Sequence, residues 1–295
     1  MIPKYINCGG EAFRMDRVNV GTQKIFHTID RWFSKTGIAS RSETLRMIRE
    51  GRISWNGRIV TSPDLSIPAP AGGFPEITLD GHILSPAPFL VLAMNKPRGI
   101  LVGLDPGRRE KEIDRLIEKS PWGPQNGFTG KITPLGRLDM ASSGLILLTS
   151  RPGELADLLD PDFEVPRTYR VQVRPAMKAE DLERVRKGDA GSPWGFMTPK
   201  IEIERANERT TWLDITLCEG KNREIRKILS GLGYTILHLI RTRFGDLCLG
   251  DEGMKSIGGI WDVTSHFGGG GGFRIDIILD RIQRGDIIDV KVAGG

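Results

Sequence analysis

A chain of 295 residues with 39% hydrophobic content is long enough for two domains with packed cores, which excludes a disordered or low-complexity protein. The net charge of +5 is moderate, so it points to a partner only if the excess is concentrated. Cys8, Cys218 and Cys248 are odd in number and too far apart for a zinc site of ordinary spacing, and no run approaches membrane-spanning length or a secretory pattern; reduced thiols in the cytoplasm are expected.

Residues 1–28 mix glycine, polar and basic residues without a period and are expected as a flexible arm. Ile29, Trp32 and Phe33 then share a helical face. Ser40 and Glu43 stand at capping-box spacing before a helix carrying Leu45 and Ile48, which stops at Gly51. Ile53 and Trp55 alternate into Asn56-Gly57, a strong hairpin signal, and the chain returns through Ile59 and Val60. Between Asp30 and Val60 seven basic residues (Arg31, Lys35, Arg41, Arg46, Arg49, Arg52, Arg58) meet only three acids. A charged helix face is usually just solvated, but the scarcity of acids beside Arg41, Arg46 and Arg49 tilts the reading toward phosphate contact.

Residues 61–89 are rich in Pro and Gly and read mainly as a connector, with room for short strands where Ile77 and Leu79 alternate ahead of Asp80-Gly81, and with a domain boundary near 88. The larger domain opens with the apolar strand Leu90 to Met94. Further strands are expected at 144–149, 169–173, 201–203 and 212–217, several alternating as in an antiparallel sheet with one buried face. Helical periodicity runs through Ile113, Leu116 and Ile117, through Leu155, Leu158 and Leu159, and through Ile225, Ile228, Leu229 and Leu232. The expected fold is α+β: a small two-helix and hairpin module, then a larger, mainly antiparallel sheet domain with flanking helices and a central cleft. Beyond residue 250 the chain is glycine-rich; the five glycines 268–272 lack the Lys-Ser/Thr of a phosphate loop and read as a spacer.

The residues with most chemical promise are Gly136-Arg137-Leu138-Asp139-Met140-Ala141-Ser142-Ser143-Gly144-Leu145, which hold one Arg and one Asp just before the apolar run Ile146-Leu147-Leu148. A carboxylate at the mouth of a buried strand beside a fixed cation is more often chemical than structural. Tyr169 shares a strand face with Val171 and Val173, so its ring is expected to point inward; a core tyrosine is the plainer account. Glu219 to Leu229 turns from a strand into a helix on which Arg226 lies beside the apolar row of Ile225 and Leu229, placed to present its guanidinium in a partly dry cleft.

Taken together, Gly136 to Leu145, Tyr169 on its strand and Glu219 to Leu229 resemble the three motifs of the bacterial ribosomal RNA pseudouridine synthases of the RsuA/RluB group. The resemblance extends to an S4-type RNA-binding module, matched by residues 29 to about 75, to the Asn95-Lys96-Pro97-Arg98-Gly99 turn and to Arg241-Thr242-Arg243-Phe244-Gly245. It covers roughly residues 29–250. Ser150-Arg151-Pro152-Gly153 departs from the family's usual Asn-Asp-Gly type turn, and the tail after Gly250 has no counterpart. The resemblance implies Asp139 as the catalytic aspartate, Tyr169 as the residue stacking on the target base, Arg226 as the partner of the aspartate, and Arg137 as a residue that holds RNA and helps evert the uridine. Arg31, Arg41, Arg46, Arg49, Arg52, Lys96, Arg98, Lys221 and Arg223 are expected to contact RNA.

Domains follow as an arm at 1–28, an S4-like module and linker at 29–88, a catalytic domain at 89–250 and an extension of unknown role at 251–295. The implied reaction moves ribose C1′ from uracil N1 to C5 without redox or group transfer, so no cofactor and no metal are expected. An adjacent cation favours the carboxylate anion. Whether Asp139 attacks the nucleotide or stabilises or generates a ribosyl intermediate stays open at this stage. The implied partner is ribosomal RNA or a pre-ribosomal particle, not a membrane, and the chain is expected to be a monomer; the wording at 222–226 leans toward the large subunit. A non-catalytic RNA-binding protein would have no use for the Asp139 loop, and an RNA methyltransferase would require a glycine-rich cofactor loop that residues 90–250 lack.

Overall fold

The computed structural model describes residues 26–68, 76–85, 87–103, 113–126, 128, 130–187, 200–218, 220, 221, 223–250, 256–267, 288 and 289. Strand β1 (Phe26–Thr28) leads into helix α1 (Ile29–Lys35) and then helix α2 (Arg41–Arg49). The capping box forms in full: the Ser40 hydroxyl accepts from the Glu43 amide, and the Glu43 carboxylate accepts from the Ser40 amide at 2.8 Å. The Ser40 hydroxyl also donates to that carboxylate, and this bond first, then the amide's, holds the Glu43 carboxyl below its ordinary range. Strands β2 (Ile53–Trp55) and β3 (Arg58–Ile59) meet at Asn56 and Gly57, whose φ values of 48° and 74° suit the tight hairpin turn that this pair favours.

Strand β4 (Ser66–Pro68) pairs with β1, while β5 (Ile77–Leu79) lies between β2 and its own hairpin partner β6 (His82–Ile83). The expectation that 61–89 is mainly a connector is thereby corrected. Ile67 and Ile77 are fully buried in one core with Ile29, Trp32, Phe33, Ile48 and Ile53, because a hairpin with one apolar face must bury it. The arm expected at 1–28 is likewise cut back: residues 26–28 are strand, and residues 1–25 lie outside the described residues. On α2 the fully buried side chains are Thr44 and Ile48, one turn apart, and Leu45 is only half-buried, since it lies 100° round the helix from Thr44.

The larger unit comprises β7 (Val91–Lys96), α3 (Ile113–Glu118), β8 (Thr133–Leu135), β9 (Ser143–Thr149), β10 (Arg167–Arg174), α4 (Ala179–Arg186), β11 (Lys200–Ala206), β12 (Thr211–Leu217), α5 (Glu224–Gly231), β13 (Thr235–Phe244), β14 (Leu247–Cys248), β15 (Ile260–Asp262) and β16 (Ile288–Asp289). Its sheet runs β11-β12-β10-β13-β9-β7-β15, antiparallel except where β13 meets β9, so the mixed α+β, mainly antiparallel architecture expected from the sequence is present. Ala93, Leu145 and Leu147 pack on one face with Leu155, Leu158 and Phe244; Leu92, Met94, Ile146 and Leu148 pack on the other with Ile113 and Ile117. Both faces of β7 and β9 are covered, which explains their unbroken apolar runs. Val171, Val173, Leu213 and Ile215 form a third core beneath α4 and α5.

Several expectations change here. The ten-residue strand β13, central to the sheet, has no clean alternation in sequence because register shifts opposite β10 break its period. Leu155, Leu158 and Leu159 belong to a single 3₁₀ turn rather than a longer helix, confined between Pro152-Gly153 and Asp160-Pro161. The chain beyond residue 250 is not wholly an extension: β15 adds an edge strand to β7, and Trp261, Val263 and Phe267 are buried in the main core. The glycines 268–272 lie outside the described residues. Cys248 takes part in no disulfide, and Cys8 lies outside the described residues.

The small module sits directly on the turn that departs from the family pattern. The Gly153 amide donates to the Lys35 carbonyl at 3.3 Å and the Lys131 amide to the Gly37 carbonyl at 2.8 Å. Gly37 has φ +73°, and a Cβ there would fall 1.7 Å from the Ser150 carbonyl oxygen, so only glycine permits this approach.

Candidate active site

Between β8 and β9 the chain makes a tight turn in which the Ser142 amide donates to the Asp139 carbonyl at 2.9 Å. Leu138 anchors the turn in the core, and the Gly99 amide donates to the Met140 carbonyl at 2.7 Å, tying it to the turn that follows β7. The Asp139 carboxylate is left 30% exposed. Helix α5 buries Ile225, Ile228 and Leu229, which turns Arg226 toward that carboxylate. Its Nε donates to Asp139 Oδ2 at 3.1 Å and its Nη2 to the Ser142 hydroxyl at 2.9 Å, so one guanidinium fixes both ends of the turn. Arg223, at the start of α5, reaches the same oxygen at 3.5 Å.

These groups line a cleft of about 410 Å³. Half-buried Tyr169 forms part of its wall, between the cores under α3 and α5. Arg137, Lys221 and Arg223 are exposed and also line it. The structure therefore brings Asp139, Arg226 and Tyr169 together with three of the residues expected to touch RNA. Arg98 is exposed nearby but outside the cleft, with Nη1 donating to the Leu237 carbonyl at 3.2 Å.

Lys96 is a correction. It is fully buried, and its ammonium donates to the carbonyls of Pro97 at 2.9 Å and Ile100 at 2.7 Å, so it faces protein rather than a polynucleotide. Burial brings its pKa down to about 8; the Asp139 charge opposes that shift and Arg241 adds to it.

Arg31, Arg41, Arg46, Arg49 and Arg52 all lie in the small module, away from the cleft lining. Folding pairs most of them with acids: Asp30 meets Arg41 at 2.6 Å and Asp80, from outside the stretch, meets Arg52 at 2.6 Å, while Glu50, one helical turn on, meets Arg46 at 3.8 Å. Burial alone would raise the Asp30 carboxyl, but bonds from Thr28 and Arg41 overcome it and hold the group below its usual range. Arg49 donates to the Leu45 carbonyl at 3.2 Å, and Arg31 is exposed.

Sequence reasoning assigned no role to Ser142, Arg167, Arg241 or Phe244, all brought to the site by the fold. Arg167 and Arg241 are buried in the cleft, each with its guanidinium over the Phe244 ring, at 5.1 and 5.3 Å. Arg167, just ahead of the strand expected at 169–173, was the available signal; Arg241 lies on β13, whose sequence shows no clean alternation. Glu219 and Asn222 lie outside the described residues. Among the described residues, no group of three or more His, Cys, Asp or Glu side chains is placed to hold a metal ion, and no helix is long and apolar enough to cross a membrane.

Residues 90–231 match the family model described as RNA pseudouridylate synthase. The chain is 34% identical over 238 residues to the ribosomal large subunit pseudouridine synthase B of Pasteurella multocida, an alignment covering 78% of this chain and 64% of that one. It is 31% identical over 229 residues to an uncharacterized RNA pseudouridine synthase of Aquifex aeolicus, covering 75% and 85%. It is 25% identical over 242 residues to the ribosomal large subunit pseudouridine synthase B of Bacillus subtilis, covering 81% and 92%. A crystal structure of a pseudouridylate synthase shares the fold at a TM-score of 0.54 and 21% identity, over 81% of this chain and 96% of that one.

Proposed function

The chain belongs to the RNA pseudouridine synthases, isomerases that convert uridine to pseudouridine, and on that premise we propose that it isomerises one specific uridine of large-subunit ribosomal RNA with Asp139 as catalytic nucleophile. The observation that carries the reading is the Asp139 carboxylate, open to a cleft and fixed by Arg226 at 3.1 Å, with Tyr169 in the wall beside it. Isomerisation breaks the bond between C1′ and N1, turns the uracil, joins C1′ to C5, and exchanges the C5 proton for one on N1. That sequence is redox-neutral and transfers no group to a second molecule, so the protein's own side chains suffice. Asp139 acts on the nucleotide; Arg226, held also by Ser142, keeps the carboxylate oriented without further reorganisation. Tyr169 offers its face to the uracil.

An everted uridine gives up about a few kcal/mol of stacking, least in loops and ends. Arg137, Lys221 and Arg223 at the mouth, with Arg98 close by, offset this by holding the flanking phosphates, and Arg137 helps keep the base out. We assign residues 29–88 to an S4-like module, with Arg31, Arg41, Arg46, Arg49 and Arg52 meeting backbone further along the RNA. Residues 89–250 together with the 256–267 segment make the catalytic domain. The names of the Pasteurella and Bacillus relatives support the large subunit, and the partner is ribosomal RNA or a pre-ribosomal particle, met by a monomer in the cytoplasm.

The test is a set of pseudouridine maps of ribosomal RNA from cells carrying the gene, lacking it, or carrying Asp139→Asn. One large-subunit site lost in both altered strains is the expected result. A site that persists with Asp139→Asn overturns the role of the aspartate, and unchanged maps without the gene overturn the substrate.

A further inference from the structure

We propose that Arg241 is a further catalytic residue, one that donates a hydrogen bond from Nη2 to a carbonyl oxygen of the target uracil and stabilises the charge which gathers there when the glycosidic bond breaks. The inference deepens the function proposed above and rests on it.

Its basis is a buried donor that meets no acceptor among the described residues. Arg241 is 3% exposed, its Nε donates to the Leu145 carbonyl at 2.6 Å, and its buried Nη2 has no hydrogen-bond partner among the described residues. Leaving a buried N–H of a charged group unmet costs on the order of 1–3 kcal/mol or more, which a fold built only for stability would avoid. Arg241 lines the cleft, so a bound ligand is in position to supply the missing acceptor.

Backbone geometry directs the side chain there. Opposite Arg167 and Tyr169, two apart on β10, stand Phe244 and Arg241, three apart on β13. The extra residue lets Arg241 and Phe244 share a face, which a regular strand forbids for such spacing. On its other side Arg241 pairs with Gly144 of β9, where φ is +104° and a Cβ would stand 2.3 Å from the Arg241 carbonyl oxygen. Glycine is thus required for β9 to approach β13 at this residue.

Place decides what the guanidinium meets. Arg137, Lys221 and Arg223 are exposed at the mouth and suit phosphates, whereas Arg241 is buried and suits a group that has entered the cleft. Arg241 is the direct cross-strand neighbour of Tyr169, so a base lying on the Tyr169 ring turns an edge toward it. The edges of uracil carry O2 and O4. When the bond between C1′ and N1 breaks, the electron pair goes to N1 and is shared with both oxygens. Arg241 stabilises that anion through its Nη2–H until C5 bonds to C1′.

The test uses the full chain, as wild type, Arg241→Met and Arg241→Lys, on large-subunit ribosomal RNA transcripts made with uridine, 2-thiouridine or 4-thiouridine, with conversion followed by chromatography and mass. Arg241→Met is expected to lower kcat by about 10²–10³-fold with KM and RNA affinity little changed. Sulfur is a poor acceptor, so one of the two thio substitutions is expected to slow the wild type at least about tenfold and to slow Arg241→Met hardly at all, since each change removes the same bond. Independent, multiplying effects overturn the proposal. So does a loss confined to KM and RNA affinity, which marks a phosphate contact. If Arg241→Met does not fold, equal wild-type rates on all three transcripts overturn it, and a thio effect that Arg241→Lys reduces supports it. A wild-type protein that leaves the unmodified transcript unconverted sinks the proposed function, and this inference with it.

Discussion

Arginine works in opposite ways in the two halves of the molecule. In the small module Arg41 and Arg46 are largely exposed and Arg52 is partly so, and each is paired with a carboxylate. In the cleft Arg167, Arg226 and Arg241 are buried or nearly so, and all but Arg226 answer to carbonyls and an aromatic ring rather than to carboxylates. An exposed guanidinium is screened by water and contributes little beyond steering. A dry one with its geometry fixed acts on charge as it forms. The contrast predicts that changes in the cleft alter the chemical step, while changes in the module alter RNA binding and its response to salt.

The sharpest way to break that contrast is Arg226→Met, which removes the bonds to the Asp139 carboxylate and the Ser142 hydroxyl together and leaves Asp139 only the longer contact with Arg223. A fall in kcat of about 10²–10³-fold with KM little changed is expected from single-turnover kinetics; a fall in RNA affinity alone places Arg226 with the binding arginines instead. Next comes Gly144→Ala. With its Cβ 2.3 Å from the Arg241 carbonyl oxygen and a positive φ, the substitution is expected to cost about 2–4 kcal/mol, read as a lowered urea midpoint.

In the small module, Arg41→Ala is a poor probe of RNA contact, because it also strips the partner from buried Asp30. Arg46→Ala with Arg49→Ala is cleaner, and is expected to reduce the slope of log affinity against log salt by about 2 while kcat at saturating RNA is unchanged. An unchanged slope removes these two residues from the RNA interface.

The smallest effect concerns Lys96. Burial lowers its pKa to about 8 in the folded protein, against 10.5 ordinarily, so between those values the unfolded chain binds more protons and stability rises with pH. Below about 8 both states are charged and no such gain exists. Urea midpoints measured across this range are expected to rise in the wild type relative to Lys96→Met; parallel curves refute the assignment.

Much of this was legible in the chain. Ser40 and Glu43 announce their capping box, and Asn56-Gly57 its hairpin, because such bonds join residues three apart or fewer and depend on nothing distant. The apolar runs of β7 and β9 read as strands for the same local reason. Asp139 and Arg226 were suspected from their motifs, although 87 residues separate them. Lys96, in contrast, stands in a stretch whose resemblance implied an RNA contact, and only packing shows it sealed. Arg241 was in view among the residues that resembled the family, yet had no role to play until the bulged register of β13 gave it a direction.

Local sequence by itself determined the start of α2, the Asn56-Gly57 turn, the apolar strands β7 and β9 and the presence of a carboxylate loop, since each depends on backbone propensity and periodicity over a few residues; α4 was not read from it. Tertiary structure decided which arginines became surface charges and which became buried donors, that Trp261 and Phe267 from beyond residue 250 complete the main core, and that β9 and β13 meet at Gly144. Those outcomes depend on water being excluded by elements far apart in the chain, and the cost of burying a charge is set by whatever the fold places around it.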